Sequence, residues 1–269
     1  MDNSIIRIRS MSFKYDDKYV FKDFDLNIKR NSFVCIIGKN ASGKSTLARI
    51  LGGLCKADGY INVDGYLLND VYIKKIRRIL AICFNDADSH FVLDTVYDDL
   101  AFSLENLEYF PNEINNLVMN IAKKFKIVDI LDKSCNEISD SDKEKVMIAS
   151  SLIHNPKVLL LDESIHKLIP SDKKLVFKIL EEYKKKNNLT VILITHNLED
   201  TLFADRIVVL DKGKIVLDGT KDDVYKDDTL EKMGFDLPFI VKLSHNLMLY
   251  DLLDRVYFDD VEVMKKLWG

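Results

Sequence analysis

Phe33-Val34-Cys35-Ile36-Ile37-Gly38-Lys39-Asn40-Ala41-Ser42-Gly43-Lys44-Ser45-Thr46 decides the fold. Five consecutive apolar residues, bounded by glycine, suit a strand buried on both faces, as in a parallel sheet. The nine residues that follow form a complete G-x-x-x-x-G-K-[ST] loop, and the text after them is helical. A loop in that setting wraps backbone N–H groups around a polyphosphate and aims a helix N-terminus at it. Gly38 and Gly43 allow the backbone to approach closely, and Lys39, Asn40, Ala41, Ser42 and Thr46 complete the cradle. Lys44 reaches the β/γ-phosphates, and the Ser45 hydroxyl is a ligand for Mg²⁺.

Working outward, apolar runs recur at Ile79 to Phe84, Val158 to Leu161 and Val191 to Ile194. Helical patterns lie at Lys44–Leu54, Lys143–Ile153 and Asp172–Lys186, so strands alternate with helices and the chain is α/β with crossover connections. The first thirty residues alternate differently and suggest several short half-buried strands separated by polar turns such as Asp16-Asp17-Lys18. About seventy residues between Phe84 and Val158 carry mostly helical periodicity, with Ile114, Leu117, Val118 and Ile121 on one face and Pro111 fitting a first turn. After Gly219, acidic and aromatic residues alternate through Trp268, as in a small C-terminal appendage.

Two of the apolar runs end in groups able to do chemistry. Lys157-Val158-Leu159-Leu160-Leu161-Asp162-Glu163 delivers two acids to the end of the sheet where open α/β folds bind ligands. Asp162 suits Mg²⁺, and Glu163 is placed to polarise an attacking water. Thr190-Val191-Ile192-Leu193-Ile194-Thr195-His196 ends in a histidine, which by itself is more often structural.

Composition excludes several classes. The net charge of −4 supplies no basic field for nucleic acid. Four cysteines without a C-x-x-C pair argue against a disulfide framework or zinc ribbon. No apolar run approaches the roughly 20 residues that span a bilayer, so a membrane role is expected to be peripheral. Only 10 glycines and 4 prolines occur, and none of those glycines lies between Gly65 and Gly213. Glycine nevertheless persists throughout the phosphate loop.

Together the loop, the acidic pair and the histidine resemble the ATP-binding cassette ATPases, specifically those of energy-coupling-factor importers. Asp98-Asp99-Leu100-Ala101-Phe102-Ser103-Leu104-Glu105-Asn106 and Gly234-Phe235-Asp236-Leu237-Pro238-Phe239 resemble text of that subfamily. The resemblance implies a P-loop NTPase (RecA-like) core with an antiparallel β subdomain, a helical subdomain (about 87–153) and a short C-terminal extension. It places the cassette at residues 1–230 and the extension at 231–269. It implies ATP and Mg²⁺ as cofactors, Tyr15 as the adenine-stacking aromatic, Glu163 as the catalytic acid and His196 as a γ-phosphate switch. Asn85 aligns with the glutamine that touches the metal, one methylene shorter. The implied partners are a second cassette ATPase, a transmembrane scaffold subunit and membrane substrate-binding subunits, with no nucleic acid. The implied location is peripheral, on the cytoplasmic face of the cell membrane.

Four departures cluster where two such ATPases face each other. The family's LSGGQ signature, which covers a partner's nucleotide, aligns with Ile138-Ser139-Asp140-Ser141-Asp142. An aspartate ~4 Å from a phosphate charge at an effective dielectric near 20 repels by about 4 kcal/mol before screening. Ser141-x-x-Glu144 reads as a capping box that keeps the following helix, and Ser139 remains as a donor. Asn85 is the second departure. Ile169 replaces the acid of the D-loop, and Ser164 replaces the proline after the catalytic glutamate. The pattern suits one half of an asymmetric ATPase pair. The alternative is a nucleotide-binding structural or regulatory subunit with negligible hydrolysis.

Overall fold

The computed structural model describes residues 3–84, 91–226 and 229–268. The chain opens with two twelve-residue strands, β1 (Ser4–Tyr15) and β2 (Lys18–Lys29), paired antiparallel. The expected series of short strands is therefore two long ones. Register shifts interrupt the ladder, and Ser10 (φ 46°) and Asp23 (φ 52°) take left-handed backbone. Such bulges break the two-residue alternation without ending the strand. With β4 (Asp58–Val63) and β5 (Tyr66–Leu67) they form a four-stranded sheet ordered β2-β1-β4-β5.

The deciding stretch behaves as its composition predicts. Phe33–Gly38 is strand β3, buried at all six positions. It is the third strand of a six-stranded sheet ordered β10-β9-β3-β8-β7-β6. Its neighbours β8 (Thr190–Thr195) and β9 (Arg206–Asp211) run parallel to it, as β7 (Val158–Asp162) does to β8 and β6 (Leu80–Cys83) to β7. Strand β10 (Lys214–Gly219) closes the edge antiparallel. Alternate side chains of β3 serve two cores. Val34 and Ile36 pack with α1 (Lys44–Leu51) and the antiparallel sheet, while Phe33, Cys35 and Ile37 pack with the helices on the other face.

Helix α1 stops sooner than expected because Gly52 caps it and Gly53 turns left-handed at φ 69°. A short α2 (Ile73–Ile79) precedes β6. The helical block comprises α3 (Val96–Glu105), α4 (Pro111–Phe125, with Pro111 at its first turn) and α5 (Asp140–Leu152). Val146 to Leu152 of α5 are all buried, so this stretch of the helix has no exposed face. Helix α6 (Pro170–Asn187) links β7 to β8. Among the described residues, four helices follow β10: α7 (Lys221–Tyr225), α8 (Thr229–Lys232), α9 (Phe239–Met248) and α10 (Asp260–Trp268). Leu237, Ile240, Val241, Val256 and Val263 from this region join the same core as Leu159 and Leu161 of β7. Asp64, after β4, ties the two sheets: Arg30 lies 2.5 Å and Lys157 2.6 Å from its carboxylate.

Candidate nucleotide site

The phosphate loop connects β3 to α1 at the carboxyl end of the parallel strands, and two glycines shape it. A Cβ at Gly38 would lie 2.5 Å from both the Leu210 carbonyl and Ser42 Oγ. Gly43 has φ 109°, which L side chains rarely adopt, and a Cβ there would meet the Phe21 ring at 2.8 Å. Lys44, 6% exposed, curls over the loop and donates to the carbonyls of Gly38 (2.7 Å) and Lys39 (3.0 Å). Burial pulls its ammonium below the ordinary lysine range, while Glu163 and Asp162 oppose the shift.

Beside the loop, Ser45 Oγ donates to Asp162 Oδ1 at 3.2 Å. Asp162 ends β7 at 3% exposure, and burial pushes its carboxyl up against the opposing Ser45 hydrogen bond. These are two adjacent hard oxygen donors, the donor type Mg²⁺ takes. Ser42 Oγ is buried without a hydrogen-bond partner, and a buried hydroxyl in that state suits a bound oxyanion. The cradle and its orphaned hydroxyl fit a polyphosphate.

Glu163 follows with φ 53°, its N–H donating to the Ile194 carbonyl at 2.9 Å. Its Oε1 lies 3.4 Å from His196 Nδ1, and His196 is largely exposed. The end of β7 and the end of β8 thus bring the two residues together. Tyr15, half exposed and packed edge-on against Phe13 at 4.9 Å, lines a cleft of ≈ 720 Å³ with Lys39, Asn40, Ala41, Ser42, Gly43 and Thr46. An aromatic face and the phosphate loop therefore share one cleft. Asn85 lies outside the described residues.

The degenerate signature departs from expectation at its cap. Helix α5 begins at Asp140, so the N-cap is Ser139, not Ser141. Ser139 Oγ accepts from the Asp142 N–H at 3.1 Å and donates to Asp142 Oδ2 at 2.7 Å. The serine kept from the signature is therefore engaged within its own turn. Ser141 and Glu144 instead stitch α5 to the turn before α6. Ser141 Oγ donates to Asp172 Oδ2 (2.7 Å) and accepts from the Ile169 N–H (3.2 Å). Glu144, 1% exposed, accepts from the Lys167 N–H at 3.1 and 3.0 Å, and burial raises its carboxyl despite that bond. Lys145 bridges Asp142 (2.9 Å) and Asp172 (3.3 Å). Tertiary partners outcompete the local capping box because the side chains they satisfy, Ser141 and Glu144, are buried.

Sequence reasoning also missed Asp200, buried at 2% exposure. It accepts from Thr195 Oγ1 at 2.8 Å and pairs with Lys173, holding the backbone beside His196. No spacing signal marks it, since its partners come from α6 and β8.

The model of the ABC transporter family matches residues 21–166. The energy-coupling factor transporter ATP-binding protein EcfA1 of Mesomycoplasma hyopneumoniae (strain J) is 36% identical, over 98% of this chain and 97% of its own. The chain belongs to the ABC transporter family of ATPases. EcfA1 of Ligilactobacillus salivarius is 37% identical over 98% of the chain and 95% of its own length. Among solved structures, cbiO1 from Clostridium perfringens, described as part of the ABC transporter complex cbiONQ, superposes with TM-score 0.77. It is 30% identical and covers 90% of this chain and 99% of its own. A dimeric ATP-binding cassette in a post-hydrolysis state with ADP and Pi has TM-score 0.73 at 24% identity, covering 80% and 98%. That likeness is one of fold. Within the family the chain groups with energy-coupling-factor ATPases, and its chemistry is ATP binding and hydrolysis. Among the described residues, no helix is long and apolar enough to cross a membrane.

Proposed function

We propose that this subunit hydrolyses ATP with Glu163 as the catalytic carboxylate and His196 as the group that senses the γ-phosphate, as one half of an asymmetric ATPase pair. The contact between Glu163 and His196 at 3.4 Å, beside the phosphate loop, carries this assignment. Tyr15 stacks the adenine. Gly38 to Thr46 hold the phosphates, Lys44 balancing their charge. Ser45 and Asp162 are the residues that would hold Mg²⁺, with Asn85 the third candidate. The metal, when bound, supplies charge neutralisation on the phosphoryl oxygens. Glu163 holds the attacking water as proton acceptor, and His196 keeps that carboxylate oriented.

The signature side supports asymmetry. Ser139 is engaged with Asp142, and Asp140 and Asp142 put negative charge at the start of α5, where a phosphate would have to approach. We assign the complementary, intact signature to a second cassette ATPase. Further partners in this reading are a transmembrane scaffold subunit and membrane substrate-binding subunits, with the chain peripheral on the cytoplasmic face.

The test uses the assembled complex. Glu163→Gln should lower turnover by about 100-fold or more while leaving ATP affinity unchanged; retained turnover removes Glu163 from its role. A homodimer that hydrolyses ATP as fast as the mixed pair refutes asymmetry. Absence of single-turnover hydrolysis by the mixed pair favours a purely structural or regulatory subunit instead.

A further inference from the structure

The turn between β7 and α6 contains a histidine that the catalytic assignment leaves unused. Glu163 holds a left-handed backbone at φ 53°, a conformation disfavoured for residues with a side chain, so something must keep it there. The proline that follows the catalytic glutamate in the family is Ser164 here. Its hydroxyl turns away to the Cys83 carbonyl at 3.4 Å. The Glu163 carbonyl is held from three residues ahead, by His166 Nδ1 at 2.5 Å. The same nitrogen lies 3.3 Å from Glu144 Oε1 on α5. A carbonyl oxygen only accepts, so Nδ1 must carry the proton.

Glu144 is a fixed anchor, fully buried and receiving the Lys167 N–H on both oxygens. His166 has more than a third of its side chain in solvent and adds little to the core. It is placed to orient a neighbour rather than to support the fold.

We propose that His166 is a positioning residue for ATP hydrolysis. Its Nδ1–H clamps the Glu163 carbonyl and ties the catalytic turn to the signature helix through Glu144. The inference rests on the assignment of Glu163 made above. The clamp acts through Glu163 and does not touch nucleotide. Its removal therefore lowers kcat while sparing nucleotide affinity.

In the assembled complex, three variants separate the roles of the ring. His166→Ala removes the donor, His166→Asn replaces it with an amide N–H near the Nδ1 position, and His166→Gln offers one near the Nε2 position. His166→Ala should lower kcat about tenfold, the equivalent of one lost hydrogen bond, with the KM for ATP unchanged and the melting temperature lowered by no more than about 4 °C. Asn should recover most of the rate, and Gln should not. Parental kcat in the Ala variant overturns the inference, as does an Asn variant as slow as the Ala variant. Glu163→Gln, run alongside, distinguishes the two levels. If it stays active, the assignment of Glu163 falls and the clamp with it. If it is silent while His166→Ala runs at the parental rate, the clamp alone falls.

Discussion

Restoring a family glycine to the degenerate signature should damage this protein before any nucleotide is involved. Ser141 is 6% exposed and makes two hydrogen bonds, one to the Asp172 carboxylate and one from the Ile169 N–H. A bond to a charged acceptor contributes about 1.5–3 kcal/mol. Here the lower end applies, because Asp172 is partly exposed and keeps Lys145 at 3.3 Å. The Ile169 N–H belongs to a residue more than half exposed and can turn to water, so its loss costs roughly 0.5 kcal/mol. Ser141→Ala should therefore destabilise the chain by about 2 kcal/mol. Ser141→Gly adds the helix cost of glycine and should reach about 3 kcal/mol. Urea titration of the nucleotide-free chain measures both, with an unchanged slope expected. A Ser141→Ala variant within 0.5 kcal/mol of the parent would refute the argument that α5 is built into the turn before α6. In that event the lost glycine is simple drift.

Two further perturbations address the sheet junction and the loop. Burial pushes the Asp64 carboxyl up, but hydrogen bonds from Lys157 and Arg30 outweigh it and leave the group below the usual range. Its stabilising contribution is thus present above the unfolded carboxylate value and lost as pH falls through the folded one. Asp64→Asn should cost about 1 kcal/mol at pH 7, discounted because Arg30 and Lys157 are largely exposed. The gap in melting temperature should close below about pH 4; a gap constant from pH 7 to 3 contradicts the pairing. Gly43→Ala places a Cβ 2.8 Å from Phe21 at φ 109°. It should weaken ATP binding by about tenfold or more by calorimetry, and unchanged affinity would show that the loop tolerates the strain.

Much of the site is legible in the chain because it is built from contiguous text. The β3 run and its loop, and the runs ending at Glu163 and His196, each need only one strand and one turn to reach the same edge. Parallel pairing then does the assembly, since β7 and β8 are neighbours. What was illegible depends on long-range competition. Two serines sit two residues apart, each with an acid three residues on, and local rules favour neither strongly. Ser139 becomes the cap because Ser141 and Glu144 are claimed by Asp172, Ile169 and Lys167. His166 is invisible for the same reason: its partners are a backbone carbonyl and a glutamate on another helix. The two opening strands were obscured by bulges, which scramble the very alternation that reveals a strand.

Strand β3 sends alternate side chains into two separate cores and then runs directly into Gly38. Neither face can be repacked by itself. A methylene lost at Val34 or added at Cys35 disturbs the packing of a strand that leads straight into the nucleotide loop. Interior substitutions that elsewhere change only stability would here also change how firmly phosphate is gripped. The hydrophobic interior of this subunit is, in that sense, part of its affinity for its fuel.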